Sequence, residues 1–152
     1  MCESVYEAYN YIAGRSVEYG NSALSGSDSF GTWDVLSKDS LAESGGSYIY
    51  PKRKCASTYI ILMTDGLPQR DTGANQRIKD LAGVEGCEVY DSADSGGRTE
   101  NCLPQLTEYM ANNDLAPNTD GDQFAITYTI GFTTNQQLLS DAAENGKGQY
   151  YT

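Results

Sequence analysis

The residues with the clearest chemical potential are two acids in one loop. Asp65 ends the apolar run of YIILMTDGLPQRD (residues 59–71), and Asp71 lies six positions further on. A carboxylate at the tip of a buried strand is suited to ligating a hard divalent cation or to acid–base work. Asp71 has two readings: a cap or Asx turn that orders the loop, or an acid holding a metal-bound water. Thr64 points to the opposite face of the strand from Asp65, which assigns it to packing. The segment NTDGD (118–122) carries oxygen side chains at alternating spacing, as a calcium loop would, but lacks the distal bidentate glutamate; it also reads as a solvated turn. The chain has no histidine, which excludes catalytic triads, Cys–His pairs and His-rich zinc sites. A metal-dependent phosphoryl-transfer enzyme built on Asp65 lacks a phosphate-cradling glycine loop, a second acid beside Asp65 and a histidine base. The non-enzymatic reading is therefore preferred.

The cysteines are the other chemically distinctive residues. Cys87 and Cys102 flank the polar stretch EVYDSADSGGRTEN. Closing a loop of that length removes about 3 kcal/mol of unfolded-state entropy. The alternative is two free thiols in a reducing cytosol. No CxxC spacing is present, which argues against a zinc ribbon. If Cys87 and Cys102 pair, Cys2 and Cys55 are left for each other. A disulfide implies an oxidising compartment, and residues 1–14 hold acids and tyrosines where a signal peptide has its apolar region, so export needs a signal not contained in this chain.

The 152 residues suit one domain, and 21 acidic against 10 basic residues give a net charge of −11. That balance is the reverse of what a nucleic-acid partner requires. No apolar run is long enough to span a bilayer. The twelve tyrosines, with abundant Ser, Gly, Asn and Thr, resemble the composition of exported surface proteins.

The elements that must position these residues follow from periodicity. Val5, Ala8 or Tyr9, and Ile12 predict a helix over 3–13, with Glu3 complementing its dipole and Gly14 ending it. Residues 15–54 carry little periodicity and read as a long insertion with one short helix near Trp33–Leu41. TYIILMT (58–64) is a continuous β-prone run, expected to be covered on both faces. A helix follows over about 74–81, then the Cys-bounded loop, then a helix over about 103–112 with Pro104 in its first turn. FAITYTIGF (124–132) is a strand, NQQLLSDAAE (135–144) a helix ended by Asn145 and Gly146, and GQYYT begins a last strand. Alternating strands and helices predict an α/β fold with a parallel sheet, whose ligands sit outside the carboxyl ends of the strands. Asp65 lies at such an end.

YIILMTDGLPQRDTGANQRI, then TYTIGF, then QLLSDAAENGKGQYY resembles the second half of a von Willebrand factor A (vWA) domain. More narrowly, with the opening CESVYEAYNYIAG, it is similar to the version found in PilY-type type IV pilus tip adhesins. The resemblance covers nearly the whole chain apart from parts of 15–54. It implies a three-layer α/β fold, a mostly parallel sheet with helices on both faces, incomplete at the N-terminus: one partial domain over 1–152. Such domains commonly carry a metal-ion-dependent adhesion site: D-x-S-x-S, a threonine on a second loop, and the aspartate of TDG. Only Asp65 of that set maps here, and no D-x-S-x-S is present. The resemblance places the partners of Asp65 upstream of Met1, or implies a protein that has lost the site. It implies Mg2+ or another divalent cation in the complete domain, and none held tightly by this chain alone.

The resemblance further implies a non-enzymatic adhesion module on the cell surface, exported to the pilus, with pilus components or a host or surface ligand as protein partners. A structural piece of the pilus tip without metal function is the alternative. The missing first strand would be central in the sheet, so apolar edges stay open and stability is lower than the length suggests. The first helix should start near Asp65, while Cys55 precedes its strand at the opposite end, so Cys2 and Cys55 meet only if residues 51–57 fold back. Within the insertion, Tyr19, Tyr48 and Tyr50 are candidate contact residues, since tyrosine supplies large contact area at low entropy cost. Trp33 reads either as a binding hot spot or as an anchor packing the insertion onto the sheet.

Overall fold

The computed structural model describes residues 1–20, 24–28, 31–35, 41–49, 57–132 and 136–152, with 24–28 and 31–35 as backbone. The order begins α1 (Cys2–Ile12), β1 (Leu24–Asp28), β2 (Gly31–Val35), β3 (Glu43–Ser44), β4 (Ser47–Tyr48) and β5 (Thr58–Thr64). It continues α2 (Asn75–Ala82), β6 (Val89–Asp91), β7 (Arg98–Glu100), α3 (Leu103–Asn112), β8 (Ala125–Gly131), α4 (Gln137–Asn145) and β9 (Lys147–Tyr151). This is an α/β chain built on a three-stranded parallel sheet of order β5-β8-β9.

The helices form where apolar side chains recur at helical spacing. In α1, Val5, Tyr9 and Ile12 are buried while Glu3 and Glu7 lie to the side. Leu103, Leu106 and Met110 give α3 its buried stripe, and Leu138, Leu139 and Ala142 give α4 its own. Pro104 sits in the first turn of α3, where a missing N–H costs nothing. Gly83 ends α2 in the left-handed conformation, φ 69°, which a side chain would strain. At Gly148 in β9, an added Cβ would come within 2.0 Å of the Thr127 carbonyl oxygen, so the β8–β9 contact requires glycine.

All four helices contribute to one core on one face of the sheet. Ile60 and Leu62 of β5 pack against this core, and β8, whose Ala125, Thr127 and Thr129 are buried, meets α3 and α4. The expectation that β5 is covered on both faces is corrected: Tyr59, Ile61 and Met63 are exposed on the other side. Helices on both faces are likewise not found among the described residues. The reason is winding. Both connections, β5 to β8 and β8 to β9, advance across the sheet in the same direction, and right-handed crossovers in one direction put their helices on one face. Among the described residues nothing pairs with the second edge of β5.

The insertion holds more strand than its sequence suggests. β1 pairs with β2 and β3 with β4, both antiparallel. Residues 31–35 are extended backbone, so Trp33 sits on a strand and not at the start of a helix; residues 36–40 lie outside the described set. β4 is tied to the end of α1 by the Tyr48 amide donating to the Arg15 carbonyl (2.8 Å), and the Val17 amide donates to the Gly46 carbonyl (3.0 Å).

Candidate functional site

Asp65 stands one residue past the end of β5, exposed, with no hydrogen bond or ion pair among the described residues. The turn beneath it is held from three sides. The Thr64 hydroxyl donates to the Gly66 carbonyl (3.2 Å), so this side chain orders the turn as well as ending the strand. The Gln136 side-chain amide, ahead of α4, donates to the same carbonyl at 2.8 Å. The Pro68 carbonyl accepts from the Ser92 hydroxyl (3.0 Å) and the Ala93 amide (2.9 Å). The Arg70 amide donates to the Asp94 carboxylate at 3.0 Å, with Arg70 itself at φ 51°.

Ser92, Ala93 and Asp94 belong to the Cys-bounded loop, which therefore braces the Asp65 loop. Cys87 and Cys102 form a disulfide, with Cα atoms 5.2 Å apart. The loop is also ordered by its own hairpin, β6 with β7, which local sequence did not reveal because its strands are three residues each. Glu100 adds a further tie: its carboxylate accepts from the Cys87 amide (2.8 Å) and pairs with Lys79 at 2.7 Å. Those hydrogen bonds hold the Glu100 carboxyl below its ordinary range.

Asp71 is not turned toward Asp65. It is 3% exposed, and its Oδ1 accepts from the backbone nitrogens of Met1 (2.6 Å) and Cys2 (2.7 Å), while Oδ2 accepts from the Asn101 side chain (2.9 Å). It is the anion at the N-terminus of α1, a helix distant in sequence, and not a cap on α2. Burial pushes its carboxyl up, but the hydrogen bonds from Glu3, the Met1 nitrogen and Asn101 outweigh it and hold the group below the usual range. Glu3 moves the opposite way, pushed up by burial and by its contact with Asp71, while accepting from the Gly73 amide at 2.6 Å.

The remaining predicted residues scatter. Cys2 is a free, buried thiol 3.9 Å from the Asn75 side-chain oxygen, its pKa raised by burial, which corrects its pairing with Cys55; Cys55 lies outside the described residues. Tyr48 is half-buried against α1: its hydroxyl donates to Glu7 at 2.5 Å and its ring meets Tyr11 edge-on at 5.5 Å. Tyr19 donates to the Gly73 carbonyl (2.9 Å) beneath the Arg77 guanidinium. Tyr50 lies outside the described residues, and Trp33 is placed by its backbone alone. The NTDGD turn is closed by an acid the sequence reading passed over, Asp114, whose Oδ1 accepts from the Ala116 (3.1 Å) and Gln123 (3.0 Å) amides.

The residues that organise the site, Ser92, Asp94, Gln136 and Asn101, were missed because each acts through a contact at least 24 residues away in sequence. A cavity of about 220 Å³ beside the loop is lined by Leu67, Tyr90, Arg98, Gln136 and Leu138, among others. On its wall the Tyr90 hydroxyl donates to Asp141 at 3.0 Å. Among the described residues the one cluster of three potential metal-ligand side chains is Cys87, Glu100 and Cys102, and the disulfide uses both sulfurs. The arrangement thus presents one unengaged carboxylate, on a braced turn, at the carboxyl end of a parallel sheet.

No family model, curated protein or solved structure matches the chain. No helix among the described residues is long and apolar enough to cross a membrane. The disulfide accords with an oxidising, extracellular setting.

Proposed function

We propose that the chain is part of a non-enzymatic binding module of a pilus-associated surface protein, with a vWA-type fold and Asp65 as its contact acid. One observation carries the reading: Asp65 is exposed at the carboxyl end of β5, on a turn braced by Thr64, Gln136 and the disulfide-closed hairpin, with its carboxylate unengaged among the described residues. A fixed, free carboxylate suits a hard cation or the polar group of a protein ligand. The resemblance of TDG, TIGF and the closing LL–AA–G–G–YY pattern to vWA domains of PilY-type adhesins supports the assignment to the cell surface. In that reading a further strand beside β5 supplies the remaining ligands, and a divalent ion such as Mg2+ binds only in the complete domain. Protein partners, from the pilus or from a host surface, complete the picture.

A second reading, a structural piece of the pilus tip with no metal function, is favoured by the isolation of Asp65 from any cluster of three ligand side chains among the described residues. Calorimetric titration with Mg2+ and Mn2+ separates the two. The 152-residue chain is expected to show no saturable binding below about 1 mM. A longer protein carrying D-x-S-x-S upstream should bind the ion and lose it on Asp65→Ala. Tight binding by the 152-residue chain that Asp65→Ala abolishes would refute the incomplete-site reading. An extended protein that ignores both ion and substitution would leave the structural reading.

A further inference from the structure

The cavity of about 220 Å³ beside the Asp65 loop has walls of two kinds. Leu67, Val89 and Leu138 are apolar; Leu138 is buried, while Leu67 and Val89 are 43% and 49% exposed. Glu88, Tyr90, Asp91 and Arg98 bring polar groups. Asp91 and Arg98 answer each other across the hairpin: Arg98 Nε stands 3.6 Å from the Asp91 carboxylate, and its Nη2 donates to the Val89 carbonyl at 2.8 Å. Glu88 and Asp141 have no such partner. Both carboxylates converge on the Tyr90 hydroxyl, Asp141 at 3.0 Å and Glu88 at 3.4 Å, and that hydroxyl has one proton to donate. Among the described residues no cation pairs with either acid. Burial and these two carboxylates push the Tyr90 pKa up, so the hydroxyl stays protonated beside them.

We propose that this cavity takes one lysine side chain of the protein partner, its ammonium among Glu88, Asp141 and Tyr90 and its methylene stem along Leu67, Val89 and Leu138. The proposal rests on the binding-module reading above and names what the partner offers beside Asp65. Charge complementarity selects a cation: two carboxylates share one proton donor on a chain of net charge −11. The apolar walls select a stem that buries methylenes while its head stays polar. A compact ammonium with three donors suits acceptors from three residues, whereas the planar fork of arginine suits a single carboxylate. The volume lies below the roughly 300–1,000 Å³ of pockets for drug-sized ligands, which fits one side chain. The cavity is built from the turn after β5, the disulfide-closed hairpin and the start of α4, and Leu138 belongs to the core on the helix-bearing side. It is therefore separate from the bare face of the sheet and the free edge of β5, which the remainder of a vWA-type domain would cover.

An amide-resolved NMR titration of the 152-residue chain with Nα-acetyl-lysine methylamide tests the proposal. Saturable shifts are expected at the Val89, Tyr90 and Leu138 amides, with Kd of about 1–10 mM for a single side chain. The norleucine analogue, which keeps the stem and lacks the ammonium, should bind at least about 10-fold more weakly. Glu88→Gln should weaken lysine binding roughly 10-fold. Glu88 is exposed, so glutamine there is compatible with folding, which far-UV circular dichroism verifies. Glu108→Gln, the same charge change on the exposed side of α3, should leave binding unchanged. No saturable shifts at those amides, equal binding of the norleucine analogue, or a Glu88→Gln protein that binds like the parent overturns the proposal. The metal titration reads Asp65, which does not line this cavity, so either reading can fail while the other stands.

Discussion

Glu7 joins the insertion to the core, and Glu7→Gln should release it. The carboxylate accepts from the Glu18 amide (3.2 Å), the Tyr19 amide (3.0 Å) and the Tyr48 hydroxyl (2.5 Å). These three donors come from both ends of the insertion, so one side chain on α1 closes it. Hydrogen bonds to a charged acceptor contribute roughly 1.5–3 kcal/mol each when buried, and glutamine keeps one acceptor oxygen. Glu7 is half-exposed, so water competes for the site, and the net loss should be about 2 kcal/mol. Burial pushes the Glu7 carboxyl up, but the hydrogen bonds from Tyr48, Tyr19 and Glu18 outweigh it and hold it below the usual value. A carboxyl depressed in the folded state stabilises above its unfolded pKa of about 4.3, and that stabilisation is lost as pH falls through the folded value. The gap between parent and Glu7→Gln should therefore be full at neutral pH and close in acid. Urea unfolding of both proteins at neutral pH and near pH 3 measures the gap, and hydrogen exchange at the Glu18 and Tyr19 amides localises it. A gap under about 0.5 kcal/mol at neutral pH, or one equally large in acid, would refute the reasoning.

Asp71→Ala strands the buried Cys2 amide and removes one of the Asn101 side chain's hydrogen bonds, which should cost about 3 kcal/mol and lower Tm by roughly 10 °C. A calorimetric Tm within about 2 °C of the parent would show that Asp71 does not anchor α1. Reducing the Cys87–Cys102 disulfide should cost about 3 kcal/mol in denaturant titrations. It should also speed hydrogen exchange at the Ala93 and Arg70 amides, which tie the hairpin to the Asp65 loop. Unchanged exchange there would mean that the brace does not depend on the disulfide.

The local elements were legible because the signals that make them are local. The apolar run 58–64, the 3.6-residue periodicity of 103–112 and the glycine after the last helix depend on neighbours within a turn or a strand, and they form β5, α3 and the end of α4. The position of Asp65 at a strand tip follows from the same signals. What the loops do was not legible. The two three-residue strands inside the Cys-bounded loop and the two-residue strands β3 and β4 in the insertion are too brief to carry a period, and their pairing partners define them.

By itself, then, the sequence determined the α/β alternation, the acid at the end of β5 and the absence of histidine chemistry. Only the tertiary structure decided which groups Asp71, Glu7 and Gln136 engage, because those contacts span 11 to 70 positions and no local pattern encodes them. It also decided that one face of β5 is bare. A run such as TYIILMT is apolar on both sides, and which side meets helices is set by the direction in which the chain winds across the sheet, a property of the connections and not of the strand.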